Sequence, residues 1–160
     1  MSTLVRHIGI GWDKNHKGHH YLSIAVCDKI IDSEILCAFE INESNISKSI
    51  IDHIRGAIFA HKEDNPSFTF AINHSVNDDV KFKKEVIRKL KTNMSFREYN
   101  DSKDLLGTNR VFFEADSSSL PHKTKKKFEK YFPECIFSKK RGAAFEAEIC
   151  SVIALCLQLD

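Results

Sequence analysis

The sequence lacks the short motifs that would assign a small-molecule chemistry directly. It has no phosphate-binding P-loop, no glycine-rich dinucleotide fingerprint and no nucleophile elbow. No apolar run approaches the roughly 20 residues that a membrane span needs, and the first residues do not resemble a secretory signal. We therefore expect a cytoplasmic protein with no membrane partner, and no motif supports a small-molecule enzyme.

Cysteines at metal-binding or redox spacing are also missing. The five cysteines are an odd number, and no two of them form a CxxC motif. Four lie inside apolar runs: Cys27, Cys37, Cys150 and Cys156. This pattern favours buried, reduced thiols over disulfides or a zinc site. His16 and His20 have HxxxH spacing, but in a polar loop this spacing fixes no geometry, so an ordinary loop is favoured over a metal site.

The hydrophobic pattern predicts one α/β domain over residues 1–160. Segments with strand character are 5–12, 21–27, 30–41, 68–73 and 95–99. Segments with helical spacing are about 46–62, 78–91, 119–132 and 142–158. The first three strands are joined by short loops, which predicts an antiparallel meander. Residues 110–114 fit either a strand or a helix. The last helix is apolar nearly all round, so we expect it to pack against the sheet.

This order, βββαβαβ followed by C-terminal helices, resembles the layout of the ribonuclease-H-like superfamily. Several short segments resemble its RuvC-type branch, which includes the poxvirus Holliday junction resolvases. They are Ile8-Gly9-Ile10, the spacing from Asp13 to Tyr21, Ala71-Ile72-Asn73-His74, and Phe96-Arg97-Glu98-Tyr99. The resemblance implies a five-stranded mixed sheet with helices on both faces, and a central strand 68–73 flanked by the first and fifth strands.

The resemblance also implies a site in which carboxylates hold two Mg²⁺ or Mn²⁺ ions. The family's first carboxylate aligns with Gly11 by the Ile-Gly-Ile motif, or with Asp13 by the spacing to Tyr21. The second aligns with Asn73, where the family has glutamate. The last carboxylates align with Glu146 or Glu148 on the final helix. Asp13, Asn73, Glu146 and Glu148 are thus the candidate catalytic residues, with Asp13, Glu146 and Glu148 as candidate metal ligands; a turn aspartate and solvated glutamates are the alternatives.

The net charge of +2 does not by itself imply a polyanionic partner, but the basic residues are clustered. A predicted basic surface comprises Lys103, Lys123, Lys125, Lys126, Lys127, Lys130, Lys139, Lys140 and Arg141. Such runs are often only solvated faces. The resemblance makes them candidate contacts to DNA or another branched nucleic acid.

Two functions are compatible with these patterns. The first is a metal-dependent, structure-specific endonuclease of DNA recombination, which the resemblance implies would act as a homodimer because a four-way junction is two-fold symmetric. The second is a catalytically degenerate ribonuclease-H-like module that binds nucleic acid or serves as a subunit of a larger complex. Gly11 and Asn73 favour the second function, whereas Asp13 and the paired glutamates favour the first.

Overall fold

A computed structural model of the chain describes residues 6–28, 33–41, 45–62, 66–100, 109–116, 125–126, 130 and 142–158. In these ranges the protein is α/β, with one mixed sheet of six strands and three α-helices. The strands are β1 (Arg6–Lys14), β2 (His20–Asp28), β3 (Ser33–Ile41), β4 (Ser67–Asn73), β5 (Arg97–Glu98) and β6 (Arg110–Ala115). The helices are α1 (Ile46–Ala60), α2 (Val80–Asn93) and α3 (Ala143–Cys156), and a 3₁₀ segment spans His74–Asp79.

The strands lie in the order β3-β2-β1-β4-β6-β5. The first three form the expected antiparallel meander. The pairs β1–β4, β4–β6 and β6–β5 are parallel. The central position of β4 and its pairing with β1 are therefore confirmed. Because β1, β4 and β6 run in the same direction, their carboxyl ends meet at one edge of the sheet.

The predicted neighbour of β4 on its other side is wrong. Segment 95–99 contributes only the two-residue strand β5 at the outer edge, and β6 takes the place beside β4. The sheet accordingly has six strands in the described residues rather than five. A strand covered on both faces must be apolar on both, and Val111 and Phe112 of β6 are buried whereas Arg97 and Glu98 of β5 are exposed.

One face of the sheet carries the larger hydrophobic core. Ile8, Ile10 and Trp12 alternate along β1 and are fully buried. They belong to one apolar cluster with residues of α1 and α2, among them Ile54 and Leu90. The two-residue period of β1 thus directs its large side chains towards these two helices.

The opposite face of β1 is almost flat, because glycine occupies alternate positions. A Cβ atom on Gly9 would lie 2.2 Å from the Ser151 carbonyl oxygen, and one on Gly11 would lie 2.1 Å from the Ala147 carbonyl oxygen. The backbone of α3 therefore rests directly on β1, as its apolar sequence predicted. Helices cover both faces of the sheet.

Three of the cysteines, Cys27, Cys150 and Cys156, are buried as expected. Burial raises the pKa of the Cys150 thiol strongly, which keeps it protonated and unreactive. Among the described helices, none is both long and apolar enough to cross a membrane.

Candidate active site

Polar side chains meet where the central parallel strands end. In the register of β1 and β4, Trp12 lies beside Ile72, and in the register of β4 and β6, Asn73 lies beside Ala115. Asp13, Asn73 and Asp116 therefore follow one another across the carboxyl edge of three adjacent strands. Crevices outside the carboxyl ends of parallel strands are the usual location of ligand sites in α/β proteins.

Asp13 is the innermost of these groups and is completely buried. Its Oδ1 atom accepts a hydrogen bond from Asn73 Nδ2 at 3.0 Å and another from the Ser75 hydroxyl. The Asn73 amide is oriented by its other end, because Asn73 Oδ1 accepts from the backbone N–H of His74 at 3.1 Å. Asn73 therefore presents a donor, not an oxygen ligand, to Asp13.

Glu146 reaches the same place from α3. Along β1 the contacts with α3 move back by one helical turn every two strand residues: Gly9 lies against Leu155 and Ser151, and Gly11 lies against Ser151 and Ala147. One further step along β1 is Asp13, and one further step along α3 brings the first turn, which contains Glu146. The close packing at the two glycines thus brings the two carboxyl groups together.

The two carboxyl groups are electrostatically coupled. The pKa of Glu146 is raised from its ordinary 4.5 to about 7, first by burial and then by its hydrogen bond with, and repulsion from, Asp13. The buried Oδ2 of Asp13 accepts no hydrogen bond in the described residues when Glu146 is ionised. When Glu146 is protonated, its hydroxyl can donate to Asp13. The pair therefore holds one proton at neutral pH, or another cation in its place.

His74 and Asp116 form the outer edge of the site. His74 Nδ1 lies 3.5 Å from Asp116 Oδ1 and 3.2 Å from Asn73 Oδ1, and both of the outer side chains are about half exposed. The charge of Asp116 raises the pKa of Glu146 further, whereas that of His74 lowers it. Four polar groups around Asp13 thus form a partly open acidic crevice.

A divalent cation fits the Asp13–Glu146 pair better than it fits the whole cluster. No group of three or more His, Cys, Asp or Glu side chains in the described ranges is arranged to hold a metal ion. However, the unpaired Asp13 Oδ2 and the raised pKa of Glu146 mark a position where a hard cation would relieve both strains. The second cation implied by the resemblance would need a carboxylate where Asn73 donates an amide hydrogen. The donor set therefore suits one cation, not two.

The structure thus places the predicted residues differently. Asp13, Asn73 and Glu146 come together. Glu148 follows Glu146 by about 200° around the helix, so the two do not face the same side. Gly11, the alternative position for the first carboxylate, lies against the α3 backbone and has no room for a side chain.

Only part of the predicted basic surface lies in the described residues. Lys125, Lys126 and Lys130 are exposed. The other members, Lys103, Lys123, Lys127, Lys139, Lys140 and Arg141, lie outside the described residues, as does most of the predicted helix 119–132. The loop histidines do not converge: His20 is buried and accepts from Trp12 Nε1, while exposed His19 faces Glu40.

Ser75, His74 and Asp116 were not predicted from the sequence. Asp116 directly follows the segment that fits either a strand or a helix. Reading that segment as a strand parallel to β4 would have placed an acidic residue beside Asn73. His74 and Ser75 carry no comparable signal, because their positions depend on the 3₁₀ turn that follows β4.

A scan against models of known protein families, a search of curated proteins and a search of solved structures each gave no match.

The raised pKa of Glu146 predicts a pH-dependent contribution to stability. Because the folded protein binds this proton more tightly than the unfolded chain, the free energy of unfolding falls as pH rises from about 4.5 to about 7. Glu146→Gln removes this dependence. We expect the variant to be more stable than the wild type at pH 8, with the difference shrinking towards pH 5. Urea denaturation midpoints at both pH values measure this, and parallel pH profiles of the two proteins would contradict the coupling.

Proposed function

We propose that this protein is a ribonuclease-H-like nuclease of the RuvC type, which binds branched DNA and cuts its phosphodiester bonds with the help of Mg²⁺ or Mn²⁺. The observation that carries the proposal is the meeting of Asp13, Asn73 and Glu146 at the carboxyl edge of the central strands. The resemblance to the family's site selects these residues from the sequence alone, with no use of their positions in space. Segments 60 to 133 residues apart need not have met.

The architecture gives further support. The antiparallel β1–β3 meander, the parallel strand β4 beside β1 and the apolar helix α3 on the sheet agree with the layout of the ribonuclease-H-like superfamily. The position of β6 beside β4, with β5 outside it, departs from the simplest version of that layout. The departure lies on the side of the sheet away from the β1–β3 meander.

Each residue of the site has a part in this function. Asp13 and Glu146 hold the cation, which when bound stabilises charge on the oxygens of the phosphodiester under attack. Asn73 and Ser75 fix the orientation of Asp13 through hydrogen bonds to Oδ1. Gly9 and Gly11 set the position of Glu146 by letting α3 approach β1.

The second candidate function is the degenerate module. It is favoured by one specific observation: Asn73 donates an amide hydrogen to Asp13, where a two-cation site needs a third negative charge. This module would bind nucleic acid, or a protein partner, without cutting.

The Asn73→Asp variant distinguishes the two functions. In the weakened nuclease, the added carboxylate raises cleavage of a four-way junction in Mn²⁺ by about tenfold or more, since each 1.36 kcal/mol of transition-state stabilisation is a factor of ten. Because the new carboxylate repels Asp13 without a cation, Mn²⁺ should also raise its denaturation midpoint more than that of the wild type. If the wild type, Asn73→Asp and Asn73→Glu cut no junction, flap or hybrid in either metal, the degenerate module is the function.

Binding is tested at the exposed lysines of the basic surface. Replacing Lys125, Lys126 and Lys127 with alanine should weaken junction binding and flatten its salt dependence, by about 0.9 in the log-log slope for each lysine–phosphate interaction that the substitutions remove. Replacing Lys81 and Lys84, which are exposed on α2, is the control for the change in positive charge. Gel-shift titrations at several salt concentrations give both slopes. Equal slopes for the two variants would contradict a role for the basic surface.

A further inference from the structure

A cleft of about 560 Å³ opens beside the acidic pair. Its walls are the loop after β1, which supplies Lys14, His16 and Lys17, and the start of α3 at Gly142–Ala144. Glu146 also lines it, so the cleft and the Asp13–Glu146 pair share a side chain. Pockets of about 300 to 1,000 Å³ are typical of small-ligand sites, so a nucleotide unit fits.

The loop wall is held in a defined conformation. Asn15 Oδ1 accepts from the backbone N–H of Lys17 at 3.0 Å and from that of His19 at 2.8 Å. Gly18 closes the turn in the left-handed region, with φ of 86°. His16 and Lys17 are consequently attached to an ordered turn, which lowers the entropic cost of using them to bind a ligand.

The chemistry of the lining is that of an anion site. Two lysines and a histidine line the cleft, and Glu146 is the only acidic residue that lines it among those the structure describes. The opposite wall is the first turn of α3, whose backbone N–H groups have no partners within the helix. Its N-cap is Gly142, and no side chain of the described residues caps this turn. Both walls therefore present positive charge or hydrogen-bond donors to the same space.

We propose that this cleft binds a phosphate group of a nucleic-acid strand, held by Lys14 and Lys17 on one side and the first turn of α3 on the other. This inference rests on the proposed function and assigns it a strand-positioning site. The bound phosphate lies next to Glu146. The cleft thereby fixes the register in which the neighbouring phosphodiester meets the Asp13–Glu146 pair.

The test is an NMR titration of the full chain with a five-nucleotide thymidine strand, with and without a 5′-phosphate. We expect the amide signals of Gly142, Ala143 and Ala144 to move on addition of the strand. The Lys14→Ala/Lys17→Ala variant should bind at least about tenfold more weakly, because it cannot form the charge-assisted hydrogen bonds. Lys81→Ala/Lys84→Ala removes the same charge from α2 and should bind like the wild type.

The two strands distinguish the source of the phosphate. Binding of both strands indicates an internal phosphodiester, and binding of the phosphorylated strand alone indicates a strand end; either result supports the cleft. If the α3 signals do not move, or if the double variant binds as tightly as the control, the proposal is wrong. Equal urea midpoints for the variants and the wild type establish that the variants are folded.

Junction binding separates this proposal from the proposed function. If the wild type binds junctions and the Lys14→Ala/Lys17→Ala variant binds them equally well, the cleft is not a strand site although the function stands. If the short strand binds in the cleft but the wild type neither binds nor cuts junctions, the cleft stands and the proposed function fails.

Discussion

Exchange of Asp13 for asparagine should reduce metal-dependent cleavage of a four-way junction about a thousandfold or more. A divalent cation contributes several kcal/mol of charge stabilisation to a phosphodiester displacement, and each 1.36 kcal/mol is a factor of ten in rate. Asp13 is the only acidic residue in or directly after β1, so no neighbour can replace it. Single-turnover cleavage in Mn²⁺ measures the reduction.

The same variant should fold normally, which separates a chemical defect from a structural one. An asparagine oxygen can still accept from Asn73 Nδ2 and the Ser75 hydroxyl. Its amide group can donate to Glu146, which replaces a repulsion by a hydrogen bond and lowers the raised pKa of Glu146. We therefore expect a denaturation midpoint at neutral pH equal to or above that of the wild type. Retained cleavage in a folded Asp13→Asn protein would remove Asp13 from the chemistry.

Gly11→Ala should destabilise the protein by about 3 kcal/mol or more. The added Cβ would lie 2.1 Å from the Ala147 carbonyl oxygen, 2.5 Å from the Ser151 nitrogen and 2.9 Å from the Cys150 Cβ. Two of these three atoms are backbone, so the helix must move as a body. Overpacking of a core costs about 1 to 3 kcal/mol even where side chains can adjust. Displacement of α3 also moves Glu146 away from Asp13, so the pKa of Glu146 should fall towards its ordinary value.

Gly56→Ala is the matched control. Gly56 is exposed within α1, and a Cβ there meets nothing within 4 Å. Because alanine favours a helix by about 1 kcal/mol over glycine, this variant should be slightly more stable than the wild type. Urea unfolding of both variants gives the comparison. If Gly11→Ala were as stable as Gly56→Ala, α3 would not rest on β1 as described.

Much of this architecture could be predicted from the sequence because the hydrophobic periods are clear. Alternating Ile8, Ile10 and Trp12 define β1, and the all-round apolar character of α3 places it on the sheet. The pairing of Asp13 with Glu146 followed from resemblance rather than from periodicity. Periodicity alone does not specify which residues, 133 positions apart in the chain, will meet.

The neighbour of β4 could not be predicted with the same rules. Segment 95–99 alternates like a strand, yet only Arg97 and Glu98 pair, and they do so at the edge. Arg110–Ala115 has a short apolar run that fits a helix as well as a strand. Its assignment depends on burial against β4, a tertiary effect that local sequence does not encode. Asp116 was missed as a consequence.

The central claim is that Asp13 and Glu146 together hold a divalent cation, and calorimetric titration of Mn²⁺ at pH 7 tests it most directly. The wild type should bind one Mn²⁺ per chain at this pair, and Asp13→Asn, folded and otherwise unchanged, should not bind it. Absence of Mn²⁺ binding by the wild type, or equal binding by the two proteins, would contradict the claim.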